Sequence, residues 1–406
     1  MATVVTRLVL RDFRSYQAAE VALGPGLTVL HGRNGAGKTN LIEALYLACT
    51  GRSCRTSNER EAIRFGSKVA RVEVDVEGAD GTRKLSVALE AAGSKHARID
   101  GRPVDRLLDE PGRPLVAVFM PDRLALVKGA PAIRRAHLDQ VVAALWPARA
   151  ETRRAYARAL TQRNALLGRV RAGLASTASL PAWDAELARH GLALMDDRAS
   201  AIEGLAPDFV ASAAELGLEG EVGLAYRPRS KATTPAELEG ELVERTAGDV
   251  DRGYTAHGPH RDDMAMLHEA RELRTYGSQG QQRLALLSLL LAEREALARL
   301  RDTAPLMLLD DVLSELDPDR RVRLLSLLRK GGQAVITAAD PALLPTGEER
   351  GVTRLAVAEG AVVGTREAEK RSRVGDERAP GGSGRGSAGE PTQEAQRPSD
   401  DARAAA

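Results

Sequence analysis

Residues Gly32 to Thr39 read "GRNGAGKT", a set of residue types that can hold a polyphosphate. Glycines at Gly32, Gly35 and Gly37, interleaved with Arg33, Asn34 and Ala36, let the backbone curl so that several amide N–H groups point at one anion. Lys38 is placed to reach the β- and γ-phosphates, the Thr39 hydroxyl to ligate magnesium, and Asn40 continues into the first turn of a helix whose N-terminus favours negative charge. A Gly-rich turn that merely opens a helix is the alternative, and it loses ground because the motif follows the strand-like "LTVLH" directly. Such a site needs a carboxylate at the end of a buried strand, and "PLMLLDD" supplies it. Asp310 is expected to position the magnesium. Asp311 follows at the strand tip, with its side chain facing away from that of Asp310, where it could polarise the attacking water; a helix cap or a surface aspartate is its alternative reading.

These residues must be carried by an α/β scaffold. The first 120 or so residues show β-prone runs with turn punctuation, "TRLVLRDF", "LTVLHG", "KVARVEVDVEG", "RKLSVALEA" and "PLVAVFM", interrupted by one helix from Lys38 to about Thr50. From roughly Ala130 to Gly217 the spacing of Ala, Leu and Arg becomes helical. Trp146-Pro147, Gly168 and "STASLPAW" are expected to break this stretch into several helices, giving a compact lobe or a short hairpin in place of a long coiled coil. Strands resume near "VGLAYRP", followed by an apolar helix after Ser278, the buried strand ending at Asp310, a helix near Arg320 to Lys330 and the strand "QAVITAAD". The expected organisation is a head in two parts, residues 1–124 and 250–365, split by a mainly helical lobe at 125–249 and followed by a disordered tail at 366–406 rich in Gly, Pro, Ser and charge.

With 406 residues and 43% hydrophobic content the chain can bury a sizeable core, and a net charge of +2 says nothing about a polyanionic partner. Cys49 and Cys54 are too few for a disulfide framework and have no His or Cys neighbour to complete a zinc site, which suits reduced thiols in the cytoplasm. No apolar stretch is long enough to span a bilayer.

The phosphate loop and "LLDD", taken together with "LVLRDFRSY", "GRSCRTSNEREAIRFG", "VKGAPAIRRAHLDQ", "GPHRDD", "YGSQGQQRLALLSLLLAE" and "LLDDVLSELDPDRR" in this order, resemble the ABC-type ATPase heads and, within them, the RecF family of bacterial recombination mediators. The resemblance covers most of residues 1 to 365. It implies ATP and magnesium as cofactors and makes Ser278, Gln279, Gly280 and Gln281 the counterpart of the ABC signature. In that architecture one subunit's signature covers the ATP held on the phosphate loop of another, so two nucleotides are sandwiched in a head-to-tail dimer. Taken alone, Ser278 reads as an ordinary helix N-cap. "SELD", Ser314 to Asp317, resembles the loop that runs along the dimer interface. Most relatives carry Glu where Asp311 stands, and the shorter side chain suits a slow switch. No switch histidine follows "QAVITAAD", which leaves Thr337 or Asp340 to sense the γ-phosphate, and Asp122 is the nearest polar residue to the expected Q-loop position. Cys54 stands where many relatives have His.

The function implied is ATP-dependent binding of duplex or gapped DNA in recombinational repair and replication-fork maintenance, with slow, DNA-stimulated hydrolysis for release. The partners implied are RecR and RecO, and the outcome is loading of the recombinase at single-strand gaps. An SMC-type chromosome-organising ATPase is a competing reading, but Lys38 and Ser278 are too close in sequence for a long coiled-coil arm. A transporter nucleotide-binding subunit is another, and "YGSQGQQR" is unlike the usual transporter signature. Arg52, Arg55, Arg60, Arg64, Arg134 and Arg135 are the candidate DNA contacts, with Arg153, Arg154, Arg158, Arg163, Arg169 and Arg171 on the helical lobe. Arginines with little aromatic interleaving suit phosphate contact, and an aromatic content of 3% argues against a single-strand stacking platform. "GPHRDD" offers His260, Asp262 and Asp263 without metal-ligand spacing, so a structural role coupling the lobe is expected.

Overall fold

A computed structural model describes residues 3–79, 81–110, 112–340 and 351–364. The predicted tail at 366–406 lies outside them. Three sheets organise the chain. The largest antiparallel one is ordered β2 (Tyr16–Ala22), β1 (Val4–Phe13), β4 (Val69–Gly78), β5 (Gly81–Glu90), β6 (Lys95–Ile99), β7 (Arg102–Val104). Its strands alternate buried and exposed residues, as a sheet covered on one face must.

The second sheet is ordered β15 (Ala361–Gly364), β14 (Val352–Ala358), β3 (Leu27–His31), β13 (Ala334–Ala338), β12 (Leu306–Leu309), β8 (Val116–Phe119), with every pair parallel except β14–β15. Its central strands β12 and β13 are buried throughout because both faces are covered. Alternation still decides which core each residue enters. Met307 and Leu309 join one cluster with Leu27, Val29 and Ile336. Leu306 and Leu308 join another with Leu30 and Val335, backed by α1 (Lys38–Thr50) and the antiparallel sheet. Each fully buried Leu contributes about 1.5–3 kcal/mol, so a one-residue register slip would exchange both faces at once.

The remaining helices are α2 (Ala125–Lys128), α3 (Pro131–Leu145), α4 (Ala150–Arg171), α5 (Pro181–Glu215), α6 (Pro235–Glu244), α7 (Thr246–Arg252), α8 (Leu273–Tyr276), α9 (Gln279–Arg301) and α10 (Pro318–Lys330). A small sheet, β9 (Val222–Arg227), β10 (Asp263–His268) and β11 (Arg271–Glu272), sits among them. Trp146-Pro147 does separate α3 from α4, but Gly168 breaks nothing. It lies inside α4, where an exposed glycine costs only about 1 kcal/mol and 22 residues of helix absorb it. Pro207 likewise sits inside the 35-residue α5, whose Leu205 and Phe209 are buried in the core shared with α9.

The helical lobe is continuous with the head at its base. Side chains of α3, α5 and α9 share one hydrophobic cluster with the parallel sheet, and only the far end, around Tyr156, Leu187, Leu194 and Leu238, has a small cluster of its own. The expected boundary between 249 and 250 falls inside α7. Arg163 is fully buried and is no solvated helix residue. Its guanidinium donates to Asp184 at 2.5 Å, Asp249 at 2.8 Å and the Thr255 hydroxyl at 2.7 Å, tying α4, α5 and α7 together.

"GPHRDD" has the expected structural role. Asp262 accepts from Tyr226, from the Arg229 amide at 2.7 Å and from Arg198 at 3.4 Å. His260 Nε2 lies 2.9 Å from the Thr255 carbonyl, so it carries the proton and Nδ1 accepts from the Tyr156 hydroxyl at 2.7 Å. Burial holds the His260 pKa down to about 4, in keeping with that neutral form. Among the described residues no cluster of His, Cys, Asp or Glu could hold a metal unaided. Nor is any helix among them long and apolar enough to cross a membrane.

Candidate functional site

The loop after β3 turns at the C-terminal end of the parallel sheet, the edge at which such sheets present ligand sites. Two of its glycines are obligatory. Gly32 has φ +152, and a Cβ there would stand 2.1 Å from the Val357 carbonyl oxygen. Gly37, the residue before α1, has φ +110, and its Cβ would meet the Tyr16 hydroxyl at 2.7 Å. No side chain caps α1, so the N–H groups of Lys38 and Thr39 at its start remain available to an anion, while that of Asn40 donates to the Gly37 carbonyl at 3.0 Å. Lys38 Nζ donates to the carbonyls of Gly32 at 2.6 Å and Arg33 at 2.9 Å, which holds the ammonium across the loop. Burial lowers the Lys38 pKa, opposed by the nearby carboxylates of Asp311 and Asp310.

The fold brings the two predicted metal ligands together from opposite ends of the sequence. The Thr39 hydroxyl lies 2.9 and 3.1 Å from the carboxylate oxygens of Asp310. β13 lies between β3 and β12 in the sheet, and its Thr337 fixes that carboxylate. The Thr337 hydroxyl donates to Asp310 Oδ1 at 2.8 Å and accepts from the Asp311 amide at 2.8 Å. Thr337 is fully buried with its hydroxyl occupied in both directions, so the expectation that it senses the γ-phosphate is corrected. It positions the carboxylate pair. The other candidate, Asp340, is exposed at the end of the same segment. Burial pushes the Asp310 pKa up, and the hydrogen bonds from Thr337 and Thr39 oppose that rise. A divalent cation would do the same far more strongly. Two hard oxygen donors side by side on rigid elements fit magnesium, whose other positions are normally filled by water and phosphate oxygens.

Asp311 lies just past β12, not within it, with left-handed φ +48. It precedes a short 3₁₀ turn without capping it, and its Oδ1 is buried with no hydrogen-bond partner. An orphaned carboxylate oxygen on a strained residue beside the phosphate loop is a stronger pointer to a water or ligand than the residue type alone. Replacing Thr337 with valine should leave Asp310 Oδ1 and the Asp311 N–H without this partner. The expected results are a loss of about 1–3 kcal/mol of stability in chemical denaturation and roughly tenfold slower hydrolysis at saturating ATP.

Several neighbours of the loop were not singled out from the sequence. The Tyr16 hydroxyl donates to the Gly37 carbonyl at 3.1 Å, and Asn40 Nδ2 donates to Ser15 Oγ at 2.9 Å. Burial would raise the pKa of Glu43 in α1, but hydrogen bonds from Arg14 at 2.7 and 2.9 Å and from Ser53 at 2.6 Å outweigh it and hold the carboxylate low. The available signal was the "FRSY" stretch, which lies in "LVLRDFRSY", one of the motifs that carry the family resemblance.

Ser278 caps α9 in a reciprocal box. Its Oγ accepts from the Gln281 amide at 3.2 Å, and Gln281 Oε1 accepts from the Ser278 amide at 2.8 Å. Ser278, Gln279 and Gly280 are exposed, and among the described residues none of them is hydrogen-bonded to residues 32–40. α9 itself is anchored by a run of buried leucines. Arg283, one turn on, pairs with Glu315 at 2.5 Å, and Ser314 Oγ donates to the Asp311 carbonyl at 2.8 Å. This short chain of contacts connects the signature helix to the carboxylate site of the same subunit. The side chain of Asp122 lies outside the described residues.

The predicted DNA contacts separate. Arg134 is buried, bonded through Nε and Nη2 to Asp263 at 2.6 and 2.8 Å and through Nη1 to the Gly129 carbonyl, so it is a structural residue. Arg134 is therefore not free for DNA. Arg135 is half-buried with Nη1 on the Asp262 carbonyl at 2.7 Å. Arg55 donates to Asn40 at 3.0 Å and Glu43 at 3.2 Å, beside the nucleotide loop. Arg64 stands 3.9 Å from Asp12, and Arg52 and Arg60 are exposed.

Residues 4–354 match the family described as the RecF/RecN/SMC N terminal domain. The chain is 37% identical over 376 residues to a DNA replication and repair protein RecF of Frankia alni, covering 88% of this chain and 99% of that one. It is 39% identical over 348 residues to one of Anaeromyxobacter sp., covering 83% and 92%. The solved structure described as the recombination mediator protein RecF-ATP in the RecFOR pathway superposes with a TM-score of 0.79 at 26% identity, over 89% of this chain and 98% of that one. An Smc head domain from Pyrococcus furiosus superposes with a TM-score of 0.55 at 16% identity, which is a likeness of fold.

Proposed function

The chain belongs to the RecF family of DNA replication and repair proteins, within the RecF/RecN/SMC group, and from that premise we propose that it is an ATP-operated switch on DNA. As a member it is an ABC-type ATPase of recombinational repair. Its ATP lies on Gly32 to Asn40, with Lys38 on the β- and γ-phosphates and magnesium shared by Thr39 and Asp310. Asp311 orients the attacking water. Ser278 to Gln281 of a second copy close over the γ-phosphate, so ATP drives a head-to-tail dimer and slow hydrolysis, stimulated by DNA, releases it. Duplex and gapped DNA are the substrates, RecR and RecO the protein partners, and the cytoplasm the compartment. One structure similar to this chain is described as holding ATP and as acting in the RecFOR pathway, which supports the nucleotide and the partners proposed.

The observation that carries the nucleotide chemistry is the hydrogen bonding of Thr39 to Asp310 at the mouth of the parallel sheet. The lobe argues against a mechanochemical arm. Its longest helix, α5, has 35 residues and spans about 50 Å. Lys38→Ala removes the ammonium held across the loop. It should abolish ATP-driven dimerisation in sedimentation velocity and ATP-dependent retention on DNA; a normal dimer in this variant would contradict the site.

A further inference from the structure

Four phenylalanines occur in the chain. Phe13, Phe119 and Phe209 are buried at 0–3% exposure, whereas Phe65 is exposed at 100%. A phenyl ring left wholly in water gives up its transfer free energy, and unlike Tyr or Trp it has no polar atom to justify the position. The loop that carries it is held in place. The Arg64 amide donates to the Asp12 carbonyl at 2.8 Å, the Ser67 amide to the Arg64 carbonyl at 2.9 Å, and Ser67 Oγ to Asp12 Oδ1 at 2.9 Å, while Gly66 turns the chain with φ +84. The ring is therefore displayed on a fixed turn.

Its surroundings are cationic. Arg60 and Lys68 flank it in sequence, and β4 begins immediately after Lys68. There Arg71 lies directly opposite Arg11 of β1, both exposed. Like charges at facing positions are unfavourable in a sheet unless an anion lies over them. Among the described residues Arg11, Arg60, Lys68 and Arg71 have no side-chain hydrogen bond or ion pair. Glu59 is taken by Lys95 at 2.8 Å, and Glu61 is the exposed acid of the segment.

We propose that Phe65 is a base-stacking contact that reads an unpaired nucleobase at a single-strand/duplex boundary, with Arg11, Arg60, Lys68 and Arg71 on the neighbouring phosphates. This rests on the DNA-binding reading above and gives it a means of telling gapped from continuous DNA. A single ring among cations complements a ligand that alternates π-faces with phosphates. In continuous duplex every base face is already stacked, so the ring gains nothing there. At a gap or an end one face is free. One ring is no platform for long single strands, in agreement with the low aromatic content of the chain.

The test is the ratio of affinities for gapped and continuous circular duplex of equal length, neither of which has free ends, by competition in fluorescence anisotropy with ATP at fixed salt, for the full chain, Phe65→Ala and Phe65→Trp. Phe65→Ala should lower gapped-DNA affinity roughly five- to a hundredfold with duplex affinity unchanged, and Phe65→Trp should restore the ratio. 2-Aminopurine at the boundary should be quenched by the parent protein and not by Phe65→Ala. A ratio unaffected by Phe65→Ala overturns the assignment, as does a Phe65→Ala defect confined to ATP-driven self-association, which would place a second copy over the ring. Arg71→Ala should weaken both DNAs alike. Absence of any ATP-dependent DNA binding by the parent chain would instead defeat the functional reading itself.

Discussion

Asp311→Asn is expected to cut ATP turnover by roughly a hundred- to a thousandfold while leaving nucleotide binding intact, so that an ATP-bound dimer accumulates on DNA. The reason is local. Asp311 Oδ1 is buried without a partner, the residue is held in a left-handed conformation, and its amide is fixed by the Thr337 hydroxyl at 2.8 Å. Asparagine preserves the shape and the backbone bond but replaces an acceptor that can take a proton with an amide that cannot. The ground-state contacts proposed for the phosphates, through Lys38 and the loop amides, are not touched. Single-turnover hydrolysis should be slow and gel filtration with ATP should show a persistent dimer. Hydrolysis at the parent rate would remove Asp311 from the chemistry and leave it a structural residue of the turn.

What was legible in the sequence follows from how local each signal is. The phosphate loop and its helix were readable because glycine spacing and the apolar strand before it are contiguous, and α1 runs from Lys38 to Thr50 as expected. The strand before Asp310 was readable as an uninterrupted apolar run, "PLMLL". Partnerships between distant residues were not. Arg134 resembles any surface arginine at a helix start, and only the fold brings Asp263 of β10 to its guanidinium. Arg163 sits among solvent-facing arginines on α4, yet Asp184 and Asp249 close around it from two other helices. Chain order alone leaves Thr337 and Asp340 as alternatives for sensing the γ-phosphate. The strand order β3–β13–β12 turns Thr337 inward onto Asp310 instead, which no one-dimensional pattern encodes. Gly168 misled for the opposite reason: a local propensity was outweighed by the packing of a long helix. The left-handed backbone at Asp311 likewise had no signature in the residue types around it.

Ser278→Arg separates the two halves of the proposed nucleotide site. In one subunit Ser278 does no more than cap α9, and loss of its hydroxyl costs about 1 kcal/mol, a small fraction of a helix anchored by buried Leu284, Leu286, Leu287, Leu289 and Leu290. The monomer should therefore stay folded and bind ATP on its own loop with unchanged affinity in equilibrium titration. In the dimer the same position must let a γ-phosphate approach the free N–H groups at the helix start, where Gly280 leaves open space and a Cβ would meet nothing closer than Ser278 Oγ at 4.0 Å. An arginine side chain fills that space. A long cation could also attract the phosphate, so Ser278→Ala is the companion: it removes the hydroxyl and keeps the room. If the surface is a lid for another copy's nucleotide, Ser278→Arg loses ATP-driven dimerisation by at least about a hundredfold, as expected for a charge buried without its proper partner, and Ser278→Ala retains most of it. Mixing Ser278→Arg with Lys38→Ala then tests geometry directly. Each variant retains one intact half, so a heterodimer with a single functional nucleotide site can form where neither variant dimerises alone. Equal loss of ATP binding and dimerisation in Ser278→Arg would mean that the turn acts only within its own subunit.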